Sequence, residues 1–261
     1  MSKIPNEIPN VLACDVGNSR IRFARVQGEK VEHIQQFRVG QLAGLGEAIA
    51  ELRREIPPPR KLVAGSVNPP ALKALEAAVA DVLDAKVLVI GRDLPIPIET
   101  RIEHPESIGV DRLCCAAAAY DRIGRACVVA DFGTAVTIDC VSEEGEFLGG
   151  AILPGLAMGA ECLHAGTAQL PKVQLADPTW VFGTDTRKAI LTGLVHGARG
   201  ALRELVEAYA TEIGHWPIVI LTGGDAELIC NRPSDSELVQ AIVPDLSLRG
   251  VAAAYYRSLV V

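Results

Sequence analysis

The chain has 261 residues, of which 49% are hydrophobic, 22% charged and 4% aromatic, with a formal net charge of −7 at pH 7. That balance excludes an intrinsically disordered chain and describes a soluble globular protein with room for one large domain or two ordinary ones. The acidic charge argues against broad binding to nucleic acid or anionic membranes, no run approaches the roughly 20 apolar residues of a membrane helix, and the opening "MSKIPNEIPN" holds no signal-peptide core.

In chain order, "VLACDVGNSRIRF" at 11–23 reads as an apolar strand, a polar break at Asp15, Gly17, Asn18 and Ser19, and a second strand. Arg20 and Arg22 alternate with Ile21 and Phe23, so both lie on the polar face, either to reach a ligand or to cover the sheet. Leu42, Leu45, Ile49 and Leu52 share one helical face, ended by Pro57, Pro58 and Pro59. A strand at 61–67 leads to a helical stripe of Leu72, Leu75, Val79 and Leu83, then to a strand at 86–91. "PESIGVDRLCCAAAAY" at 105–120 starts a helix near Gly109, with Asp111 and Arg112 in its first turn.

A compact boundary is expected at 124–126, giving domains 1–124 and 125–261. Beyond it come strands at 127–133 and 136–141, a long helix at 187–213, and a strand at 217–224 that runs through Thr222, Gly223 and Gly224 into a helix. Strands alternating with helices predict an α/β architecture.

The first hairpin has an echo. Set above "CVVADFGTAVTID", its Asp15 falls on Asp131, Gly17 on Gly133, Asn18 on Thr134 and Ser19 on Ala135. One Asp-x-Gly turn is an ordinary surface hairpin. Two, each after a buried strand and half a chain apart, predict an internal duplication.

A turn of small polar residues offers backbone N–H groups at close range to phosphate oxygens, and glycine lets the backbone approach. The aspartate at the strand end repels phosphate but holds a cation that bridges to it. The Gly223-Gly224 turn suits the same ligand, with a helix N-terminus favouring anions. Asp111 reads as a helix-dipole or capping acid, or as a general base; Arg112 beside it opposes the dipole, which favours binding of an anionic substrate group. There is no Walker A loop and no GxGxxG after a strand, and the "DFG" at 131–133 lacks the other protein-kinase motifs.

The seven cysteines show no CxxC pair, so a disulfide framework or zinc site is not expected, and most read as core residues of a protein in the reducing cytoplasm. His164, near Glu161 and Cys162, reads as helix packing rather than a metal ligand.

"DVGNS", "GVDR", "DFGTA", "GGAILPG", "GTAQLP", "GTDT" and "LTGG", in this order and spacing, resemble the type III pantothenate kinases, within the superfamily of acetate and sugar kinases, heat-shock chaperones and actin. The resemblance runs from about Leu12 to the C-terminal "LSLRGVAAAY". It implies an α/β fold of two ribonuclease-H-like, actin-like ATPase lobes, with mixed sheets flanked by helices and a nucleotide cleft between them. It further implies a cytoplasmic homodimer that phosphorylates pantothenate with ATP, with no nucleic-acid or membrane partner.

Carried over by position, Asp15, Val16, Gly17, Asn18, Ser19, Arg20, Ile21 and Arg22 form the first phosphate loop, with Asp15 near a divalent ion (Mg2+) that reaches it through phosphate. Gly109, Val110, Asp111 and Arg112 contact pantothenate, with Asp111 the proton acceptor, and Thr186 matches a substrate-contacting threonine. Asp131 matches a ligand of a monovalent cation (K+ or NH4+), Thr134 an ATP contact, and Gly223 and Gly224 the nucleotide turn. This chain departs from the family pattern at Val110 and Ser19, and "LPIPIETRIEHP" lacks an aromatic residue many members place beside pantothenate. A kinase of the same superfamily with another small substrate, and a catalytically idle nucleotide-binding regulator, stand as alternatives.

Overall fold

The computed structural model describes residues 8–58, 60–231 and 237–259. Pro59 of the expected helix terminator and most of the N-terminal stretch read for a signal lie outside the described residues. The chain forms two compact units that divide between Asp121 and Arg122, and it returns to the first unit at Asp245. The second unit, Arg122–Pro244, is thus one contiguous stretch, and the first takes up the chain again from Asp245.

The first unit is built on β1 (Asn10–Val16), β2 (Arg20–Gln27), β3 (Lys30–Arg38), β4 (Arg60–Ser66) and β5 (Val87–Val89), in the spatial order β3-β2-β1-β4-β5. Antiparallel pairing joins β1 to β2 and β2 to β3, whereas β4 and β5 add in parallel after helical crossovers. Those crossovers are α1 (Leu45–Glu55) and α2 (Pro69–Val82). Asn68 caps α2 by accepting from the Ala71 N–H at 3.1 Å, and prolines fill its first positions, where no amide is needed. The short β6 (Glu99–Thr100), which is not a strand of this sheet, follows in the chain, and α3 (Val110–Ile123) and α7 (Leu246–Ser258) complete the unit.

Strand alternation sorts the two faces of β1. Leu12, Cys14 and Val16 join Leu45, Ile49, Leu75 and Val79 in one core. Val11 and Ala13 face the other way and pack with Val63, Cys114, Val251 and Ala252 of β4, α3 and α7. By the same period of two, Asp15 stands on the α3 and α7 side of the sheet.

The second unit repeats this plan. Its strands are β7 (Cys127–Phe132), β8 (Ala135–Val141), β9 (Glu146–Pro154), β10 (Ile218–Thr222) and β11 (Ala241–Ile242), arranged β9-β8-β7-β10-β11. Again a three-stranded antiparallel meander is extended by parallel strands on its inner edge. The matching strand order supports the duplication that the two Asp-x-Gly hairpins suggested. The helices are α4 (Leu156–Ala165), α5 (Thr186–Ile213) and the single-turn α6 (Ala226–Ile229). Val128, Ala130 and Phe132 of β7 bury against Val195, Leu202 and Val206 of α5, which leaves Asp131 on the opposite face. Asp185 caps α5 through the Lys188 N–H at 2.9 Å, and Gly214 ends it in the left-handed region at φ 79°.

Five cysteines (Cys14, Cys114, Cys115, Cys127 and Cys140) are buried free thiols, as a core role requires. His164 sits on α4 with Nδ1 2.8 Å from the Leu170 carbonyl. No helix among the described residues is long and apolar enough to cross a membrane.

Candidate functional site

In the first unit the site grows from the end of β1. Asp15 pairs across the sheet with Arg22 on β2 and, in parallel register, with Gly65 on β4. Gly65 leaves room for two helices at once: a Cβ there would lie 3.1 Å from Val251 of α7 and 3.5 Å from Val110 of α3. The Asp15 Oδ2 accepts a hydrogen bond of 2.7 Å from the hydroxyl of Ser247, in the first turn of α7. Burial pushes the Asp15 carboxyl above its ordinary value, and the charge of Asp111 adds to that, while the Ser247 hydrogen bond and Arg22 oppose it. Asp111, far along the chain, thus lies in the same unit and within electrostatic reach of Asp15.

The turn after Asp15 is tight. The Gly17 N–H bonds to the Arg20 carbonyl at 3.0 Å, and Asn18, Ser19 and Arg20 are exposed. Val16 and Ile21 are fully buried, so of these two only the backbone is offered to a ligand. Arg20 donates to the Gln36 side chain at 3.4 Å across the sheet, as a residue covering the surface does, and Arg22, on the same face, is the cross-strand partner of Asp15.

Asp111 lies in the first turn of α3, half-buried, with its Oδ1 accepting from the Arg112 N–H at 2.8 Å. Burial raises its carboxyl above the ordinary aspartate range, and the Arg112 amide and guanidinium pull against that rise. A Cβ on Gly109 would come within 2.6 Å of the Asp111 Oδ1. Glycine at that position is what lets the carboxylate fold back over the helix start.

In the second unit Asp131 holds the place on β7 that Asp15 holds on β1. It sits one residue before the strand end, with Thr137 opposite on β8 and Thr222 beside it in parallel on β10. The Gly133 N–H closes the turn on the Ala135 carbonyl at 3.1 Å, leaving Thr134 exposed. Gly155 supports this turn from below, because a Cβ there would overlap the carbonyls of Gly133 and Thr134. Gly223, at φ 93°, lies against Asp131 and Phe132, and the Asp225 N–H returns to the Phe132 carbonyl at 3.0 Å.

One expectation is corrected. The helix after Gly223-Gly224 has only four residues, Ala226–Ile229, too few to build an appreciable dipole. Any anion there meets the turn's own backbone, with open space around Gly224. Thr186 is exposed at the first position of α5, and no side-chain hydrogen bond ties it to the Asp131 turn.

Sequence reasoning missed Ser247, which sits in a C-terminal motif quoted only for resemblance. It also missed the reason for Gly155, the last residue of "GGAILPG": the close approach of the Gly133–Thr134 turn.

Residues 11–208 match the model of the type III pantothenate kinases. A type III pantothenate kinase of Dehalococcoides mccartyi is 32% identical over 259 residues, covering 94% of this chain and 96% of that one. One of Moorella thermoacetica is 31% identical, covering 95% and 99%. The structure also superposes, with a TM-score of 0.51 and 14% identity over 95% of this chain and 93% of the other, on an activator of 2-hydroxyisocaproyl-CoA dehydratase from Clostridium difficile, solved with bound ADPNP; that likeness concerns the fold alone. Family match, identity and full-length coverage agree: the chain belongs to the type III pantothenate kinase family.

Proposed function

We propose that the chain transfers the γ-phosphoryl group of ATP to the primary hydroxyl of pantothenate, giving 4′-phosphopantothenate and opening coenzyme A synthesis, with Asp111 as the proton acceptor. The supporting observation is Asp111 itself: a half-buried carboxylate at the start of α3, against which Gly109 leaves room for its Oδ1, with its carboxyl above the usual range and its charge felt at Asp15. A base with a raised pKa is better matched to a hydroxyl proton than an ordinary aspartate.

In the reaction the hydroxyl oxygen attacks the γ-phosphorus, the bond to the β–γ bridging oxygen breaks, ADP leaves, and the hydroxyl proton passes to the Asp111 carboxylate. Asp111 and Arg112 orient the acceptor, the guanidinium taking the pantothenate carboxylate. The backbone of the Gly17–Arg20 turn, the Thr134 turn and Gly223-Gly224 bind the nucleotide, and Thr186 is assigned to substrate.

The donor chemistry fits hard cations. Asp15 offers carboxylate oxygens at the strand end, and among the described residues no group of three His, Cys, Asp or Glu side chains could hold a metal. A divalent ion would thus take most of its ligands from phosphate and water, as Mg2+ does. Asp131 presents an oxygen beside the bare Gly223 and would hold the monovalent cation. Such ions, when bound, neutralise charge on the triphosphate as it is transferred.

The enzyme is proposed to act as a cytoplasmic homodimer. Val181 and Phe182 before α5, and Ile152 on β9, are at least 64% exposed, which suits a surface covered by a second copy. ADP release with pantothenate and ATP, with and without K+, tests the reading, with the product identified by mass. Phosphopantothenate formed in a K+-dependent way is the expected result; turnover of another acceptor, or none, overturns it. Light scattering in solution checks the dimer.

A further inference from the structure

The residue that carries the most unassigned weight is Ser247. It is 6% exposed, and its hydroxyl donates to the Asp15 Oδ2 at 2.7 Å across 232 residues of chain. Its helix is fixed in place from three sides. Val251 and Ala252 of α7 are buried against Val11, Ala13 and Val63 of the sheet. Gly250 meets α3 at the backbone of Cys114, one turn after Asp111, so closely that a Cβ on it would overlap the Cys114 carbonyl. Near its start, Arg249 pairs with Asp245 at 2.9 Å and donates to the Glu29 carbonyl at 2.8 Å, tying the helix to the β2–β3 turn.

We infer that Ser247 is a positioning residue for the reaction: it fixes the Asp15 carboxylate so that the other oxygen addresses the cation that accompanies the triphosphate. Because α7 is keyed to α3 by Gly250, the hydroxyl also sets Asp15 against Asp111 as parts of one rigid piece. A carboxylate at a strand end can turn about χ1 and χ2, and a short hydrogen bond from a buried serine removes that freedom. The inference rests on the pantothenate kinase reading, in which Asp15 serves the cation.

The test is a binding measurement made beside the kinetics. Isothermal titration with ADP is run in Mg2+ and in EDTA on the full chain, its Ser247→Ala and Ser247→Thr variants, and on Asp15→Asn with and without Ser247→Ala. Removing the hydroxyl is expected to weaken ADP about tenfold in Mg2+ and to leave affinity in EDTA unchanged within twofold. The rate constant should fall while KM for pantothenate holds, and Ser247→Thr, which keeps the hydroxyl, should restore both. In the Asp15→Asn background, Ser247→Ala should change nothing further in Mg2+-dependent binding.

An equal loss in Mg2+ and EDTA, no loss in either, or full additivity with Asp15→Asn overturns the inference. If Ser247→Ala fails to fold, the Ser247→Thr and Asp15→Asn chains still decide. Binding no better than Asp15→Asn in the threonine variant overturns the hydroxyl's role, and near wild-type binding upholds it. Failure of the underlying reading looks different: the unaltered chain would then bind Mg·ADP without turning over pantothenate.

Discussion

Gly223 lies directly against the carboxylate of Asp131, in the space where any other residue would carry its Cβ. Its φ of 93° is also a conformation that L side chains rarely adopt. Two independent costs therefore fall on Gly223→Ala, the strained backbone and the overlap with Asp131 and Phe132. We expect it to destabilise the second unit by about 2–4 kcal/mol and to reduce nucleotide affinity. The urea midpoint and ADP titration check this, and an unchanged midpoint would refute the packing.

Asp111→Asn keeps the shape of the side chain and removes the base. Turnover should fall by about 10²–10⁴, with ADP affinity preserved within about twofold. Steady-state rates beside calorimetry decide this, and near-normal turnover would mean the wrong base was chosen.

The raised carboxyl of Asp111 has a pH signature of definite sign. The base acts only when ionised, so kcat should rise with pH through a midpoint above that of an ordinary aspartate. Stability runs the other way. Its folded value exceeds the unfolded one, so the stabilising contribution of protonation is complete below the unfolded value and is lost as pH rises through the folded one. At neutral pH the ionised carboxylate is a burden on the fold, and Asp111→Asn should melt higher than the parent chain at pH 7 while gaining nothing at pH 3. A lower melting temperature at pH 7 would contradict this account.

Arg199 of α5 gathers the tail of α6. Its guanidinium donates to the Ile229 carbonyl at 2.9 Å, to the Leu228 carbonyl and the Asn231 side chain at 2.8 Å each, and to Asp177 at 3.0 Å. Among the described residues its Nη1 is the one buried side-chain N or O atom without a hydrogen-bond partner. Lysine cannot reproduce that fork. Arg199→Met should cost about 2–4 kcal/mol, and Arg199→Lys should recover less than half of it in chemical denaturation.

Two helical glycines make a matched pair. Gly250→Ala must push α7 off Cys114, and we expect a loss of at least about 3 kcal/mol; Gly200 of α5 has open space around it, so Gly200→Ala should add about 0.5–1 kcal/mol. Thermal melts of the two variants should move in opposite directions.

The parts of the fold legible in the sequence were those with a local signature. Strands such as β1 and β7 are apolar runs, α5 is a long helical pattern, and the two Asp-x-Gly turns mark themselves by repetition. The edge strand β3 escaped because "KVEHIQQFR" is exposed along most of its length and has no alternation to read, with a bulge opposite it and His33 at φ 57°. The helix after Gly224 was legible as a helix, but not its length, because a strand-to-glycine junction says nothing about how far the next helix runs. Ser247 was invisible for a deeper reason: its function lies in a contact with Asp15, and no local pattern announces a partner 232 residues away.

That the chain comes back to its first unit at Asp245 has a consequence for biosynthesis. As the nascent polypeptide leaves the ribosome, β1 to α3 appear early, yet the helix that covers one face of their sheet is still untranslated. The intervening segment, Arg122–Pro244, is contiguous and can collapse on its own while its host waits, half-dressed, for the closing piece. A ribosome that stalls before Ser247 is made would therefore display the Asp15 turn on an unfinished sheet, leaving such products for the cell's quality control to clear.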